Sequence, residues 1–188
     1  MNTIVGGDYV KNNKAQSGIE IKDYDEKWEE SFGLIKHVIK SALGDLILCV
    51  EHVGSTAVRG LGAKPILDID IVIEDYRILP AVVKGLEEIG YYHQQEWSFE
   101  GREAFGRRDC FVPWDNHCTD WLEHHLYVCD KGSEELARHL AFRNYLRKNA
   151  EAAAEYTKLK KDLARTAKDR QAYTNCKTEF IRDILNKE

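Results

Sequence analysis

The sequence contains no apolar run long enough to span a bilayer, and no apolar segment of the signal-peptide type lies near its N-terminus. It also lacks internal repeats and low-complexity blocks. Positive charge is not in excess, because 27 Lys and Arg stand against 32 Asp and Glu, a formal net charge of −5. No field of the whole protein therefore favours nucleic acid or an anionic membrane, and we expect neither as a partner. A site for a polyanion needs a local basic pocket or a metal ion.

The cysteines indicate neither a disulfide framework nor a zinc site. Their number is odd, five, and no Cys-x-x-Cys pair occurs, so free thiols in a reducing cytoplasm are the simplest interpretation. A zinc site can be imagined in the second half of the chain, but its spacing matches no common zinc pattern. The residues concerned are Cys110, His117, Cys118 and His124. We therefore expect a cytoplasmic protein.

Length and patterning predict a single α/β domain that follows a polar tail. The 188 residues, 43% hydrophobic and 31% charged, suffice for one core of ordinary composition. Residues 1–18 are polar and show no period, which predicts a flexible tail. Residues 19–188 form the predicted domain, with a mixed sheet over about residues 19–130 and a helical cap over about residues 133–188.

Hydrophobic periodicity predicts the order of the elements. An apolar stripe from Trp28 to Ile39 indicates an amphipathic helix that Gly44 ends. Ser133, followed closely by Glu135, is typical of a helix N-terminus. The remaining predicted elements are strands over 46–53, 66–73, 91–97, 103–112 and 121–128, and a helix over 79–89 stopped by Gly90.

Two aspartates share one face of the strand predicted over residues 66–73. Side chains alternate along a strand, so Asp68 and Asp70 project together while the apolar residues between them project into the core. Neighbouring carboxylates repel each other, and each is costly to desolvate. A divalent cation that binds both removes this cost, and oxygen ligands favour Mg²⁺ or Mn²⁺ over zinc. The alternative is an edge strand with a solvated polar face.

A phosphate-binding turn is predicted upstream of the two aspartates. Gly54 and Ser55 follow a buried strand and lead into a short helix from Thr56 to Val58. Such a turn exposes backbone N–H groups and a hydroxyl to an anion, and glycine permits close approach to phosphate. Arg59 and Lys64 follow nearby. The combination is suited to a metal–nucleotide complex.

These motifs resemble the nucleotidyltransferase superfamily, whose signature is a Gly-Ser turn followed by a paired-aspartate strand. The closer similarity is to the GrpB family, also called UPF0157, an uncharacterised branch of that fold. The matching fragments run in family order from about Trp28 to the C-terminus: EHVGSTAVRGLGAKPILDIDIVI, EHHLYV, LAFRNYLRKN, YTKLKKDLA and YTNCKTEFI. The resemblance implies a nucleotidyltransferase-like mixed sheet with flanking helices and a C-terminal helical cap.

The resemblance also implies a chemistry. Asp68 and Asp70 are expected to bind Mg²⁺, which bridges nucleotide phosphates, while Gly54 and Ser55 hold a terminal phosphate. The product is an acceptor that carries a nucleoside monophosphate, made from a nucleoside triphosphate with release of pyrophosphate. The acceptor is an unknown small molecule or protein.

The third carboxylate of the superfamily, which helps to activate the acceptor hydroxyl, has no aspartate here. On the strand predicted over residues 121–128, Glu123 is one candidate and His125 the other. Both lie on one face, whereas His124 lies on a more core-like face. A neutral imidazole can act as a general base or ligate a metal, but plain hydrogen bonding in a packed strand is the alternative for both histidines.

Four further basic residues are candidates for phosphate binding. Arg107 suits a bidentate contact with phosphate, with a surface salt bridge as the alternative, and Arg143 either binds phosphate or pairs with acidic residues of neighbouring helices. By resemblance to the family, Lys160 and Lys177 reach the triphosphate from the capping helices, although a helical lysine is usually solvated.

Three functions therefore compete. The first is Mg²⁺-dependent nucleotidyl transfer, and the second is a degenerate module that binds a metal–nucleotide or a coenzyme. The third is a protein-interaction module that retains only the fold. Metal-dependent nucleotide binding separates the first two from the third, and transfer of a labelled nucleotide separates the first from the second.

Overall fold

The computed structural model describes residues 19–186, and a five-stranded mixed sheet forms its centre. The strands lie in the order β1-β2-β5-β4-β3; β2 and β5 are parallel, and the other neighbours are antiparallel. Their bounds are Cys49–Val53 (β1), Leu67–Ile73 (β2), Tyr91–His93 (β3), Glu103–Arg107 (β4) and His124–Asp130 (β5). The mixed sheet confirms the predicted α/β class.

Helices cover both faces of the sheet. On one face, α1 and α2 enclose the main hydrophobic core, whereas α3 packs against β1 and β5 on the other face, with α4 and α5 beside it. Their bounds are Lys27–Leu43 (α1), Leu79–Glu88 (α2), Glu134–Lys148 (α3), Ala150–Thr166 (α4) and Arg170–Leu185 (α5). No helix among residues 19–186 combines the length and apolar character needed to cross a bilayer. The tail predicted for residues 1–18 lies outside the described residues.

β2 is a central strand, so the edge-strand alternative is wrong. Its apolar side chains, Leu67, Ile69, Ile71 and Ile73, are fully buried in the main core. Asp68 and Asp70 project from the opposite face, as alternation predicts. That face lies beneath α3, and Asp70 is fully buried. Asp70 is therefore enclosed between the sheet and the helical cap, whereas Asp68 on the same face stays partly open to solvent.

The ends of four predicted strands are wrong because strand ends depend on partners. The strand predicted over 46–53 begins at Cys49, after a 3-10 helix over Gly44–Leu46. The strand predicted over 91–97 stops at His93, and a short 3-10 helix, Gln95–Trp97, replaces the rest of it. β4 ends at Arg107, whose partner Tyr91 is the first residue of β3. β5 begins at His124 because it pairs with β2 over the whole length of that strand. A ladder ends where the neighbouring strand ends.

Local end signals were predicted more accurately. Gly44 follows α1 with φ +51°, and its N–H bonds the carbonyl of Lys40. Ser133 caps α3 by accepting a hydrogen bond from the N–H of Leu136 at 3.1 Å. The short helix after Gly54 is a 3-10 turn, Ser55–Ala57, one residue earlier than predicted.

Candidate functional site

The Gly-Ser turn lies directly against the first aspartate of β2. Gly54 has φ +69°, and a Cβ at this position would lie 2.2 Å from Oδ2 of Asp68. Val53, just before it, is the register partner of Asp68 across β1 and β2. Glycine is therefore required both by the backbone conformation and by the close carboxylate. The structure thus brings Gly54, Ser55 and Asp68 together.

Asp68 is paired with a histidine of the neighbouring strand. His125 is its register partner across β2 and β5, and Nδ1 of His125 donates to Oδ1 of Asp68 at 3.1 Å. The side chains are 53% and 36% exposed, respectively, so the pair is open to solvent. The hydrogen bond to Asp68 raises the pKa of His125 above its ordinary value. Of the two candidates for the third group, His125 is the one that contacts an aspartate.

Glu123 is not part of this contact. It precedes the first residue of β5, is exposed, and acts on His125 only through its charge. His124 projects to the other face, where its Nε2 lies 2.7 Å from the buried hydroxyl of Tyr91. Burial lowers the pKa of His124 to about 4, which fits a neutral side chain of the core.

Asp70 is held from the helical cap. Its side chain is fully buried, and Nδ1 of His139 on α3 donates to its Oδ2 at 2.7 Å. Nε2 of His139 lies 3.3 Å from Oε1 of Glu135, one turn earlier on α3. Burial lowers the pKa of His139, but the hydrogen bonds to Asp70 and Glu135 outweigh it and raise this pKa to about 9. The other oxygen of Asp70, Oδ1, is buried without a hydrogen-bond partner.

Sequence reasoning missed His139 and Glu135. Their spacing of four residues indicates only that they share a helix face. Nothing in that spacing tells which strand the face covers. Once α3 is docked, the pair projects onto Asp70.

Two lysines of the cap, Lys160 and Lys177, lie beside Ser55, and Lys64 lies close to Lys177. Nζ of Lys160, on α4, donates to Oγ of Ser55 at 2.8 Å and lies 4.4 Å from the ring centre of Tyr156. Lys64 and Lys177 lie 4.9 and 4.7 Å from the ring centre of Tyr173. The cap therefore brings Lys160 and Lys177 to the turn, as the family resemblance implies.

Burial disfavours the charged forms of Lys160 and Lys177. Lys160 is 2% exposed, and burial together with the charge of Lys177 lowers its pKa to about 7. Burial and the charge of Lys64 also lower the pKa of Lys177. Asp68 favours the charged form of both Lys160 and Lys177. An anion at this point would favour all three charged amines.

The predicted arginines do not reach the turn. Arg59 is exposed and lies 3.7 Å from Glu29. Arg107 lies on the opposite sheet face, where its guanidinium is 3.5 Å from Nδ1 of the core histidine His124. Arg143 pairs with Glu51 at 2.6 Å and donates to the carbonyl of His52 at 2.9 Å. The three guanidinium groups therefore make structural contacts away from Ser55.

Thr56 is likewise turned away from the site. Its hydroxyl lies 3.0 Å from Nε2 of the buried His52, and both side chains are nearly inaccessible. Burial lowers the pKa of His52 to about 4. His52 and Thr56 therefore form a buried contact that links β1 to the turn and lies outside the candidate site.

A cavity of about 250 Å³ opens beside the turn. Its polar wall includes Ser55, Asp68, His139 and Lys177, and its apolar wall includes Phe142 and Ile181. Two wider clefts, of about 510 and 590 Å³, contain neither Ser55 nor an aspartate of β2. Of these three, the smaller cavity is the candidate site because it is the one that joins the Gly-Ser turn to an aspartate of β2.

The candidate metal ligands at this site are the paired aspartates of β2, Asp68 and Asp70. No group of three or more His, Cys, Asp and Glu that could hold a metal ion occurs within residues 19–186, so the imagined zinc cluster does not form. Magnesium is commonly bound by one or two carboxylates, with water and phosphate oxygens as its other ligands. The unpartnered, buried Oδ1 of Asp70 suits a cation. Asp68 and Asp70 therefore fit a magnesium ion that arrives with phosphate.

Known proteins and one family model are similar to this chain along nearly its whole length. The family model described as GrpB protein matches residues 18–187. The glutamate-rich protein GrpB of Alkalihalophilus pseudofirmus is 32% identical over 165 residues, which are 87% of this chain and 91% of that protein. The crystal structure of conserved protein GrpB from Enterococcus faecalis has a TM-score of 0.73 and 31% identity, and the match covers 89% of this chain and 98% of that one.

A looser match is to a longer protein. The dephospho-CoA kinase of Mycolicibacterium paratuberculosis is 25% identical over 193 residues. The match covers 92% of this chain but 46% of that protein. A segment similar to this chain thus occurs within a larger polypeptide.

Proposed function

The chain belongs to the GrpB family, and we propose that it is a Mg²⁺-dependent nucleotidyltransferase that transfers a nucleoside monophosphate from a nucleoside triphosphate to an acceptor hydroxyl. One observation carries the proposal. Lys160 donates to Ser55, Lys177 lines the cavity that contains Ser55 and Asp68, and Lys64 shares the ring of Tyr173 with Lys177. Positive charge and a carboxylate at one cavity are suited to phosphate and a metal ion together.

The lysine cluster argues for a polyphosphate as the ligand. Lys160 loses hydration by burial and is repelled by Lys177, so its charged amine is disfavoured in the folded chain. A triphosphate supplies the missing negative charge and accepts hydrogen bonds from several amines at once. The Oγ of Ser55 accepts a hydrogen bond from Lys160, and its hydroxyl would then donate to a phosphate oxygen.

The carboxylates supply the metal site. Asp68 and Asp70 would hold Mg²⁺, which neutralises phosphate charge and stabilises charge that develops on the leaving pyrophosphate. His125 is the candidate base. Its Nδ1 is directed to Asp68, which leaves Nε2 to accept the proton of an acceptor hydroxyl. We further propose a cytoplasmic location, where free thiols and nucleoside triphosphates coexist.

Calorimetry with ATP, GTP, CTP and UTP, each with and without Mg²⁺, tests the proposal. We expect metal-dependent binding of at least one nucleotide, and we expect Asp68→Asn or Asp70→Asn to abolish it. A labelled nucleotide incubated with cell extract should then label an acceptor, and His125→Ala should remove the label without abolishing binding. Folded protein that binds no nucleotide, or binds equally well without metal, contradicts the proposal.

A second candidate is a module that binds a coenzyme without catalysing a reaction. The similarity to a segment of a dephospho-CoA kinase favours it. Dephospho-CoA and CoA should then bind the folded chain, displace Mg²⁺-nucleotide, and lose affinity in Lys160→Met. Binding of these coenzymes with no transfer of label from any nucleotide supports this candidate over the first.

A third possibility, a protein-interaction module, predicts that the carboxylates have no ligand. Under it, Asp68→Ala would stabilise the protein and change neither nucleotide binding nor transfer. The same variant set therefore decides among all three.

A further inference from the structure

The two aspartates of β2 share one mode of support. Each has one oxygen held by Nδ1 of a histidine, and the two histidines come from different elements. His125, on β5, donates to Asp68 at 3.1 Å, and His139, on α3, donates to Asp70 at 2.7 Å. The carboxylates are thereby fixed from two directions, from the sheet and from the cap.

His139 is fixed more tightly than its counterpart. Its Nε2 faces Oε1 of Glu135 at 3.3 Å, whereas its Nδ1 faces Asp70. The ring cannot flip or rotate without breaking both contacts. Its side chain is 25% exposed, against 53% for His125. Glu135 and His139 both line the candidate cavity, so this support lies at the site itself.

The contact with His139 determines which oxygen of Asp70 stays available. Oδ2 is taken by His139, while Oδ1 is buried and has no hydrogen-bond partner. A buried, unpartnered carboxylate oxygen is costly, and a cation removes that cost. We propose that His139, oriented by Glu135, is a positioning residue that holds Asp70 with Oδ1 directed to the divalent cation.

This inference rests on the proposed function, because it assumes that Asp68 and Asp70 bind a metal. It adds residues of the cap to the metal site. Partners that orient metal ligands by hydrogen bonds typically change metal affinity about 10–100-fold when they are removed. The alternative is that His139 serves the folded core alone, or that its ring competes with the cation for Asp70.

Titration with Mn²⁺ alone, followed by the electron paramagnetic resonance signal of free Mn²⁺, tests the inference on the full chain. His139→Leu should weaken Mn²⁺ binding by about 10–100-fold. In His139→Asn, the side-chain amide nitrogen takes the place of Nδ1, so binding should stay within about threefold of the original chain. Glu135→Gln should weaken binding by a smaller factor, and the exposed neighbour in Glu134→Gln should leave it unchanged.

Urea unfolding of the same variants separates positioning from folding. Rescue of Mn²⁺ affinity by His139→Asn, at whatever stability that variant has, supports positioning. Equal loss in His139→Leu and His139→Asn overturns the inference, as does unchanged or tighter binding in His139→Leu. If His139→Leu does not fold, His139→Asn and Glu135→Gln against Glu134→Gln carry the test, and no difference among them overturns it. A folded original chain that binds no Mn²⁺ contradicts the proposed function itself and the inference with it.

Discussion

The two ends of the candidate site balance their charges differently. At the carboxylate end, Asp68 and Asp70 each accept a hydrogen bond from a histidine. At the lysine end, Lys160 and Lys177 repel each other, and Asp68 is the carboxylate that favours both of their charged forms. Each carboxylate thus has a histidine partner, whereas burial and mutual repulsion disfavour the charged forms of the two lysines. Under the proposed function, phosphate supplies the negative charge that the lysine end lacks.

The largest effect is expected where the two ends meet. In Gly54→Ala, the new Cβ would lie 2.2 Å from Oδ2 of Asp68, and the backbone holds φ +69°. We expect Mg²⁺-nucleotide affinity to fall about 100-fold, a loss of roughly 3 kcal/mol, because turn and carboxylate must separate. Calorimetry measures it. Gly60→Ala is the matched control, since Gly60 has φ +81° but no atom within 4 Å of an added Cβ. Equal losses in both variants would contradict the prediction.

Removal of the buried amine of Lys160 should weaken nucleotide binding at the lysine end and leave metal binding at the carboxylate end unchanged. Lys160→Met keeps the length of the side chain but loses the hydrogen bond to Ser55. Nucleotide affinity should fall about 10–100-fold, since a hydrogen bond to a charged group contributes about 1.5–3 kcal/mol. Mn²⁺ binding without nucleotide should not change, because the carboxylates keep their partners. Lys158→Met, at an exposed position of α4, serves as the control.

The pH dependence of stability should show the cost of burying Lys160. Its pKa is about 7 in the folded chain and 10.5 as its ordinary value. Below pH 7 Lys160 is protonated in both the folded and the unfolded chain, so the folded chain bears the full free-energy cost of burying the charged amine. Between pH 7 and 10.5 the unfolded chain binds more protons than the folded one. The free energy of unfolding of the original chain should therefore rise with pH, relative to that of Lys160→Met, by on the order of 1 kcal/mol per pH unit. Urea unfolding from pH 6 to 10 measures the difference, and a constant difference would refute this reasoning.

The smallest effect is expected at Glu123. The residue is exposed and precedes β5, so Glu123→Gln should change the free energy of unfolding by less than about 0.5 kcal/mol. Nucleotide affinity and label transfer should also be unchanged. His125→Ala, two residues later, should lower transfer while binding persists. A loss of transfer in Glu123→Gln would reverse the assignment of the two residues.

Much of the fold follows from local signals. Strand alternation predicted that Asp68 and Asp70 share a face and that Leu67 and Ile69 fill the core. Gly44 and Ser133 marked helix ends because their conformational and capping properties act over a few residues. The ends of β4 and β5 could not be predicted, since they depend on partner strands distant in sequence.

The candidate site, like the fold, has features that local signals predict and features that depend on tertiary contacts. Arg143 was a reasonable candidate for phosphate, but docking of α3 pairs it with Glu51 of β1. Glu123 and His125 were equivalent by sequence until the parallel register of β2 and β5 set His125 against Asp68. These outcomes depend on contacts between residues far apart in the chain.

The sequence by itself determined the Gly-Ser turn, the paired aspartates and the side of the strand on which they project, because side-chain alternation and glycine geometry are local properties. Only the tertiary structure decided that Asp70 is buried, that His139 and Glu135 hold it, and that lysines of the cap meet Ser55. The physical reason is that burial and charge pairing arise when α3, α4 and α5 pack onto the sheet, and no short segment of the chain contains that information.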